Sequence, residues 1–174
     1  MQKKPEELKG SFIAEIGLKS PKIFNNWGIE LFLRSGYFFT NDFALNLEYS
    51  SLVTNNITIV KSEKNKPVLQ MTTFGLAPEY MLSYGRYFHI SLYGLIGLGT
   101  INYANPSVFD NLPVPESDWI FLFEPSFGVN YRIYKGIWFD FGFRVRAVSG
   151  VDLDVLNNKD LSGWVIQLGL KFSK

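Results

Sequence analysis

The sequence contains no cysteine and only one histidine, His89. Without cysteine the chain has no disulfide framework, no thiol chemistry and no cysteine-bearing metal site. No apolar run approaches the roughly 20 residues that a membrane-spanning helix needs, although 47% of the residues are hydrophobic. A net charge of +1 without a basic stripe is not the footprint of a nucleic-acid-binding protein. With 174 residues, the chain is expected to form one domain.

Aromatic residues, in contrast, make up 17% of the chain, and apolar residues alternate with polar ones along most of it. From Ile137 to Ala147 every odd position is apolar, whereas the even positions carry Trp, Asp, Gly and two Arg. Strict alternation predicts an extended strand, because successive side chains point to opposite faces of a sheet. Similar segments recur without a helical layer to cover their apolar faces. We therefore predict an inside-out arrangement, in which apolar side chains face lipid and charged ones face a barrel interior.

This pattern defines eight predicted strands. They span Gly10–Leu18, Trp27–Phe39, Phe43 to as far as Val60, Val68–Tyr84, Tyr87–Asn102, Trp119–Tyr134, Ile137–Ala147 and Gly163–Phe172. The connections alternate between long and short, which is typical of outer-membrane barrels. The predicted fold is all-β, an eight-stranded antiparallel up-and-down transmembrane β-barrel with short periplasmic turns and longer extracellular loops. Residues 10–174 form the barrel domain, and residues 1–9 form a polar periplasmic tail.

Two prolines, Pro78 and Pro125, lie within predicted strands of this barrel. A closed barrel has no edge strand on which a missing amide donor is harmless. We therefore expect a β-bulge near each proline.

Aromatic residues gather at both ends of the predicted strands, as amphipathic rings do at the two interfaces of a bilayer. The predicted girdle comprises Trp27, Trp119 and Trp164 at the long loops, and Tyr37, Phe39, Phe43, Tyr84, Tyr87, Tyr134 and Trp138 at the short turns.

Charged residues of both signs occupy the positions predicted to face the interior. This cluster contains Glu15, Glu30, Arg34, Glu48, Glu79, Glu124, Arg132, Asp140, Arg144, Arg146 and Lys171. An eight-stranded barrel is just wide enough for its own side chains, so these charges must pair. Two registers of the hairpin that turns at Lys135 and Gly136 keep these charges inside. Arg146 then faces either Glu124 or Ser126, and Asp140 faces either Asn130 or Arg132. A static plug is favoured over a salt-bridge gate that passes small ions.

The hairpin from Phe123 to Val145 and the last strand, Trp164–Phe172, resemble the small OmpA/OmpX-type bacterial outer-membrane β-barrel family. The last strand alternates and ends in an aromatic, like the C-terminal assembly signal of such porin-like proteins, although Ser173 and Lys174 follow it. The resemblance implies the outer membrane of a Gram-negative cell envelope, in contact with membrane lipid and lipopolysaccharide. Because the chain starts with polar residues, we expect that an export signal is absent or already removed and that Met1 was added.

The family includes adhesins, structural anchors, small pores and lipid-modifying enzymes, so the activity has to be argued from the residues. We predict no catalytic, cofactor or metal site. His89 is expected inside near the short turns, far from the outer leaflet where an enzyme acting on lipopolysaccharide would need it. The acidic loop Asp152–Asp160 lacks the glycine and closing glutamate of a calcium loop.

The favoured function is therefore a non-enzymatic structural or interaction module, such as an accessory subunit of a larger envelope complex. A proline-rich loop carries apolar residues that are candidates for contact with a protein partner. These residues are Val108, Phe109, Leu112 and Val114. The alternatives are a narrow pore for small ions or solutes, an envelope-lipid-modifying enzyme and a soluble lipocalin-like carrier. The carrier would need apolar inward faces, which the charged positions argue against.

Overall fold

A computed structural model of the protein describes residues 8–23, 26–54, 68–84, 87–104, 117–152 and 156–174. The strands are β1 (Phe12–Ile23), β2 (Asn26–Trp27), β3 (Glu30–Phe38), β4 (Phe43–Leu52), β5 (Val68–Tyr84), β6 (Phe88–Ala104), β7 (Ser117–Tyr134), β8 (Ile137–Ser149) and β9 (Gly163–Ser173). One short helix, α1 (Asn158–Leu161), precedes β9. No helix within these ranges is long and apolar enough to cross a membrane.

The eight long strands pair antiparallel in chain order, and β9 returns to pair with β1. Glu15 of β1 shows the closure directly, because its register partners are Arg34 of β3 on one side and Lys171 of β9 on the other. The two-residue β2 pairs only with Lys22 and Ile23 at the end of β1. This closed barrel confirms the predicted fold. Closure leaves no unpaired strand edge, which is what a sheet surrounded by lipid requires.

Burial alternates along the strands in the inside-out sense. In β8, Phe141 exposes 48% of its surface to the outside, whereas Arg144 is fully buried in the interior. The same alternation runs through β4 and β9. Large apolar side chains thus cover the outer wall, and polar and charged ones fill the centre of the lumen.

The first strand is longer than predicted. Residues 19–26 were expected to form a loop, but β1 continues to Ile23, and Lys19, Pro21 and Ile23 stay on its buried face. Pro21 lies opposite Val165 of β9 and accepts a backbone hydrogen bond from Gly28. The proline therefore does not end the strand, because it lies near the end of the ladder. The predicted second strand is likewise divided: Trp27 belongs to β2, and β3 begins only at Glu30.

The predicted bulges at Pro78 and Pro125 are wrong. Pairing of β5 with β6 stops between Leu76 and Glu79 but resumes in the same register, and the β4 side of Pro78 pairs without a shift. A missing amide donor thus removes ladder contacts on one side without adding a residue. The β7–β8 hairpin does contain a register shift, but it lies between Arg132 and Tyr134, beside the tight turn at Gly136.

Apolar residues form a buried cluster towards each end of the lumen. The long-loop cluster consists of Ile23, Leu52, Leu69, Met71, Ile101, Ile120, Leu122, Val148, Leu156 and Leu161. Helix α1 supplies Leu161 to this cluster, and its start is fixed by a capping box between Asn157 and Asp160. The short-turn cluster consists of Leu8, Ile13, Phe38, Ala44 and Met81. The amides of Leu8 and Lys9 donate to Asn41 Oδ1, so the end of the predicted tail packs against the barrel.

Candidate functional site: the charged interior

A network of buried ion pairs fills the lumen between the two apolar clusters. Glu48 on β4 is its centre: Glu48 Oε2 accepts from Arg34 Nη2 at 2.7 Å and from Arg144 Nη2 at 3.0 Å. Lys19 also contacts Glu48. Arg34 reaches from β3 to Glu15 of β1 as well, with 2.8 Å between Nη1 and Oε2. These contacts join strands on opposite sides of the barrel.

A second part of the network lies nearer the long loops. Arg146 donates from Nε to Glu124 Oε1 at 2.5 Å and from both Nη atoms to Glu30, at 2.6 and 2.8 Å. The fork geometry of the guanidinium allows this bidentate contact. Glu124 also accepts from Arg144 at 3.0 Å and lies 3.4 Å from Lys19 Nζ. Arg144 and Lys19 therefore connect Glu124 to Glu48.

A smaller pair lies nearer the short turns. Lys171 Nζ donates to Glu79 Oε1 at 2.6 Å and lies 3.9 Å from Glu15 Oε2. Asn46 also donates to Glu79, at 3.3 Å. Gln167 joins this region to the main network, because its amide nitrogen donates to Glu15 and its carbonyl oxygen accepts from Arg34 and Arg144.

Aromatic rings pack against the central guanidinium groups. The Cζ atoms of Arg34 and Arg144 lie 4.7 and 5.0 Å from the centroid of the Tyr93 ring. The same two atoms lie 5.4 and 5.9 Å from the centroid of the Phe32 ring. A cation near a ring face is attracted by the ring quadrupole. The arginines are therefore fixed by carboxylates and by rings. Removing one partner of such a buried pair costs about 3–5 kcal/mol, because a charge is left uncompensated.

The structure places ten of the eleven predicted interior charges inside the barrel. They are Glu15, Glu30, Arg34, Glu48, Glu79, Glu124, Asp140, Arg144, Arg146 and Lys171. Arg132 is only half-buried and lies at the short-turn rim with its guanidinium 5.3 Å from the Trp138 ring. Asp140 is opposite Asn130, one of the two predicted partners. The same register puts Glu124 opposite Arg146.

Lys19 is the network member that the sequence interpretation missed. It is completely buried and contacts both Glu48 and Glu124. The signal was present, because Lys19 continues the parity of Glu15 along β1. The loop expected over residues 19–26 excluded it.

Most of the predicted aromatic girdle points outwards at the strand ends. Exposed members are Trp27, Phe39, Phe43, Tyr87, Trp119, Tyr134 and Trp164. Tyr37 is half-buried, and the side chain of Tyr84 lies outside the described residues. Trp138 does not belong to the girdle: it is 3% exposed and packs edge-on against His89, with ring centroids 4.5 Å apart. Its even position in β8 directs it into the lumen.

The remaining candidates for chemistry are few. His89 is buried near the short turns, where the sequence predicts it. Within the residues that the structure describes, no three His, Cys, Asp or Glu side chains come together as a metal site. The predicted partner residues Val108, Phe109, Leu112 and Val114 lie outside the described residues.

The closed barrel with its charged lumen matches a known family. The family model of the outer membrane protein beta-barrel domain covers residues 7–173. The chain belongs to this family. No curated protein sequence matches it significantly.

Solved structures with the same fold come from several bacteria. The N-terminal β-barrel domain of Pseudomonas aeruginosa OprF is 16% identical with a TM-score of 0.65, over 97% of this chain and 100% of that one. Neisserial surface protein A is 13% identical with a TM-score of 0.66, over 93% and 95%. Ail of Yersinia pestis is 12% identical with a TM-score of 0.59, over 95% and 99%. Identities this low establish the fold alone.

The protein is therefore an integral β-barrel of the bacterial outer membrane. The short-turn end faces the periplasm and the long-loop end faces outwards, as in other barrels of this kind.

Proposed function

We propose that the protein is a sealed, non-enzymatic barrel that works as a structural and interaction module of the outer membrane. The observation that carries this proposal is the layered filling of the lumen. An apolar cluster lies at each end, and the ion-pair network lies between them. The loops and turns would then be the functional surfaces, and the barrel would hold them in the membrane.

Ion passage through this lumen would require several contacts to break together. An ion would have to cross the long-loop cluster, which includes Leu156 and Leu161 from the loop before β9. It would then have to separate the fully buried contacts of Glu48 and Glu124. Each separated pair leaves buried charges uncompensated, at about 3–5 kcal/mol. This supports a plug.

Ion flux into vesicles tests the proposal. The protein is reconstituted into liposomes that contain an ion-sensitive dye, and insertion is verified by the heat-dependent gel mobility of the recovered barrel. We expect flux no faster than in protein-free liposomes. Steady single-channel steps in a planar bilayer, scaling with the amount of folded protein, would contradict a sealed lumen.

A narrow pore is the second candidate, and one feature favours it. Arg144 and Lys19 each contact both Glu48 and Glu124, so partners could be exchanged during permeation. A pore gated by these pairs predicts steady wild-type steps that Arg144→Ala abolishes. If the wild type is silent, this candidate is rejected.

The environment of His89 supports a non-enzymatic role. This residue, the only histidine of the chain, packs against Trp138 inside the periplasmic end of the barrel. An acid–base group acting on lipopolysaccharide would have to reach the outer leaflet. Incubation with lipopolysaccharide followed by mass spectrometry tests this directly. We expect no mass change, and a change that His89→Ala removes would establish an enzyme.

For the interaction role, we propose the apolar residues of the proline-rich loop as the contact with a protein partner. The support comes from the sequence: Val108, Phe109, Leu112 and Val114 are apolar residues in a proline-rich segment. A pull-down from native membranes compares the wild type with a Phe109→Ser/Leu112→Ser variant. Loss of the same co-purifying protein in the variant is expected. A wild type that is recovered alone would contradict an accessory-subunit role.

A further inference from the structure

A second group of polar side chains lies inside the barrel and extends from Tyr93 towards the periplasmic end. It is formed by Ser91 and Tyr93 of β6, Gly128 and Asn130 of β7, and Asp140 of β8, and we name it the Asp140 cradle. Adjacent strands bring these residues together: Ser91 pairs with Gly128, and Asn130 pairs with Asp140. The proposed function does not use this group.

Gly128 allows the residues of the cradle to approach one another closely. A Cβ atom at this position would lie 2.9 Å from Tyr93 Cε1, 3.1 Å from Ser91 Oγ and 3.2 Å from Asp140 Oδ1. These distances are shorter than ordinary contacts of a Cβ atom, so only glycine fits here without a shift of its neighbours. The backbone of Gly128 therefore lies directly against Ser91 Oγ and Asp140 Oδ1.

Three buried oxygens of the cradle have no hydrogen-bond partner in the described part of the chain: Asp140 Oδ1, Asn130 Oδ1 and the Tyr93 hydroxyl. The other polar atoms are satisfied, because Gln167 donates to Asp140 Oδ2 at 2.5 Å and Asn130 Nδ2 donates to Ser91 at 2.7 Å. Asp140 and Asn130 are both 0% exposed. Unpaired buried oxygens are costly, so a bound group that pairs with them stabilises the barrel.

The charge balance of the lumen identifies the sign of that group. The buried carboxylates are Glu15, Glu30, Glu48, Glu79, Glu124 and Asp140, and the buried cations are Lys19, Arg34, Arg144, Arg146 and Lys171. Six negative and five positive groups leave one uncompensated negative charge among these described residues. Asp140 is the carboxylate that forms no ion pair there. Lys171 is already bound to Glu79.

We propose that the Asp140 cradle binds one alkali-metal cation. Asp140 Oδ1, Asn130 Oδ1 and the Tyr93 hydroxyl oxygen are its ligands, and Ser91 Oγ lies at the edge of the site. Carboxylate, amide and hydroxyl oxygens are hard ligands that suit hard cations. A single positive charge neutralises the lumen, whereas a divalent cation would leave it with an excess of one. Because the lumen is sealed, the cation enters while the barrel folds.

Refolding in different salts tests this proposal. The protein is refolded and then thermally unfolded in sodium, potassium or choline chloride at a constant ionic strength of about 0.1 M, so that screening is equal. A ligand that binds only the folded state raises the unfolding midpoint. We expect a saturable rise in sodium or potassium relative to choline. Equal midpoints in all three salts would overturn the proposal.

Three variants locate the effect. Asp140→Asn removes the charge, and Gly128→Ala pushes a methyl group against Ser91 Oγ and Asp140 Oδ1 while retaining the charge. Both should lose the cation-dependent rise. Asp42→Asn removes an exposed carboxylate at a periplasmic turn and should retain the full rise. If Asp140→Asn does not fold, Gly128→Ala decides; a rise that persists in Gly128→Ala overturns the site.

Crystals grown in rubidium chloride give the direct view. We expect an anomalous-scattering peak between Asp140 Oδ1 and Asn130 Oδ1. An ordered water alone, or the Arg132 guanidinium turned from the Trp138 ring onto Asp140, would overturn the cation site. Neither result would affect the proposed sealed barrel, which is tested by ion flux.

Discussion

Arg146 lies directly across the β7–β8 hairpin from Glu124 and donates to its Oε1 atom at 2.5 Å. Arg146 also binds Glu30 across the lumen through two further nitrogens. One guanidinium thus links the two strands of a hairpin and joins them to β3 across the lumen. The same arrangement of neighbours and distant partners recurs through the interior.

Removing this guanidinium should destabilise the barrel strongly. Arg146→Met leaves Glu124 and Glu30 without their main partner, so we expect a loss of about 3–5 kcal/mol in the free energy of unfolding, measured by denaturant titration in detergent micelles. Lys135→Met removes an exposed cation at a turn and should change stability by less than about 0.5 kcal/mol. Equal effects of the two substitutions would contradict the buried network.

A charged residue on the lipid-facing wall should destabilise the folded barrel, and the loss should be larger near the middle of the bilayer than at the interface. Leu168 is the middle one of the five outward-facing residues of β9. Leu168→Arg should cost about 2–4 kcal/mol when the barrel is folded into vesicles. Tyr134→Arg, at the interface and 71% exposed, should cost no more than about 1 kcal/mol. A Leu168→Arg variant as stable as the wild type would show that this face does not meet acyl chains.

Tryptophan fluorescence distinguishes Trp138 from the girdle. The chain has four tryptophans, so four variants that each retain one can be compared in brominated-lipid vesicles. Emission from Trp27, Trp119 and Trp164 should be quenched, because these rings are exposed on the outer wall. Emission from Trp138 should not be quenched. Strong quenching of Trp138 emission would show that Trp138 faces lipid and belongs to the aromatic girdle.

The position of the Tyr93 ring against β8 depends on a glycine. A Cβ atom on Gly142 would overlap the Tyr93 hydroxyl. Gly142→Ala should therefore cost about 1–3 kcal/mol in unfolding free energy through overpacking. Gly94→Ala is the matched control, because its Cβ would meet only ordinary contacts at 3.7 and 3.8 Å. If both variants unfold at the same denaturant concentration, the Tyr93 hydroxyl does not lie against Gly142.

The barrel architecture was predictable because it depends on local alternation. The run from Ile137 to Ala147 shows which side chains face inwards without any knowledge of their partners. The partners themselves were only partly predictable. Asp140 opposite Asn130 was one of two registers, since the turn leaves a shift of two residues open. Arg144 with Glu48 was not predictable, because these residues lie on strands that are not neighbours.

The errors have identifiable physical causes. Lys19 was missed because residues 19–26 were expected to form a loop, whereas β1 continues through Pro21, where a proline near the end of a ladder is tolerated. Trp138 was assigned to the girdle by its place beside a turn, whereas the parity of its strand directs it inwards. The predicted bulges treated the missing proline donor as needing an extra residue, which it does not. In each case the alternation was more informative than the single residue.

The central claim, a lumen sealed from water, is tested most directly by cysteine accessibility, since the chain has no cysteine of its own. Ser50 and Ser91 lie buried in the lumen, and serine-to-cysteine substitution changes their size little. In vesicles or micelles, Ser50→Cys and Ser91→Cys should remain unmodified by a charged, water-soluble thiol reagent. Lys135→Cys, at an exposed turn, should react completely. Rapid modification of either lumen cysteine in the folded barrel would show that water and ions reach the interior.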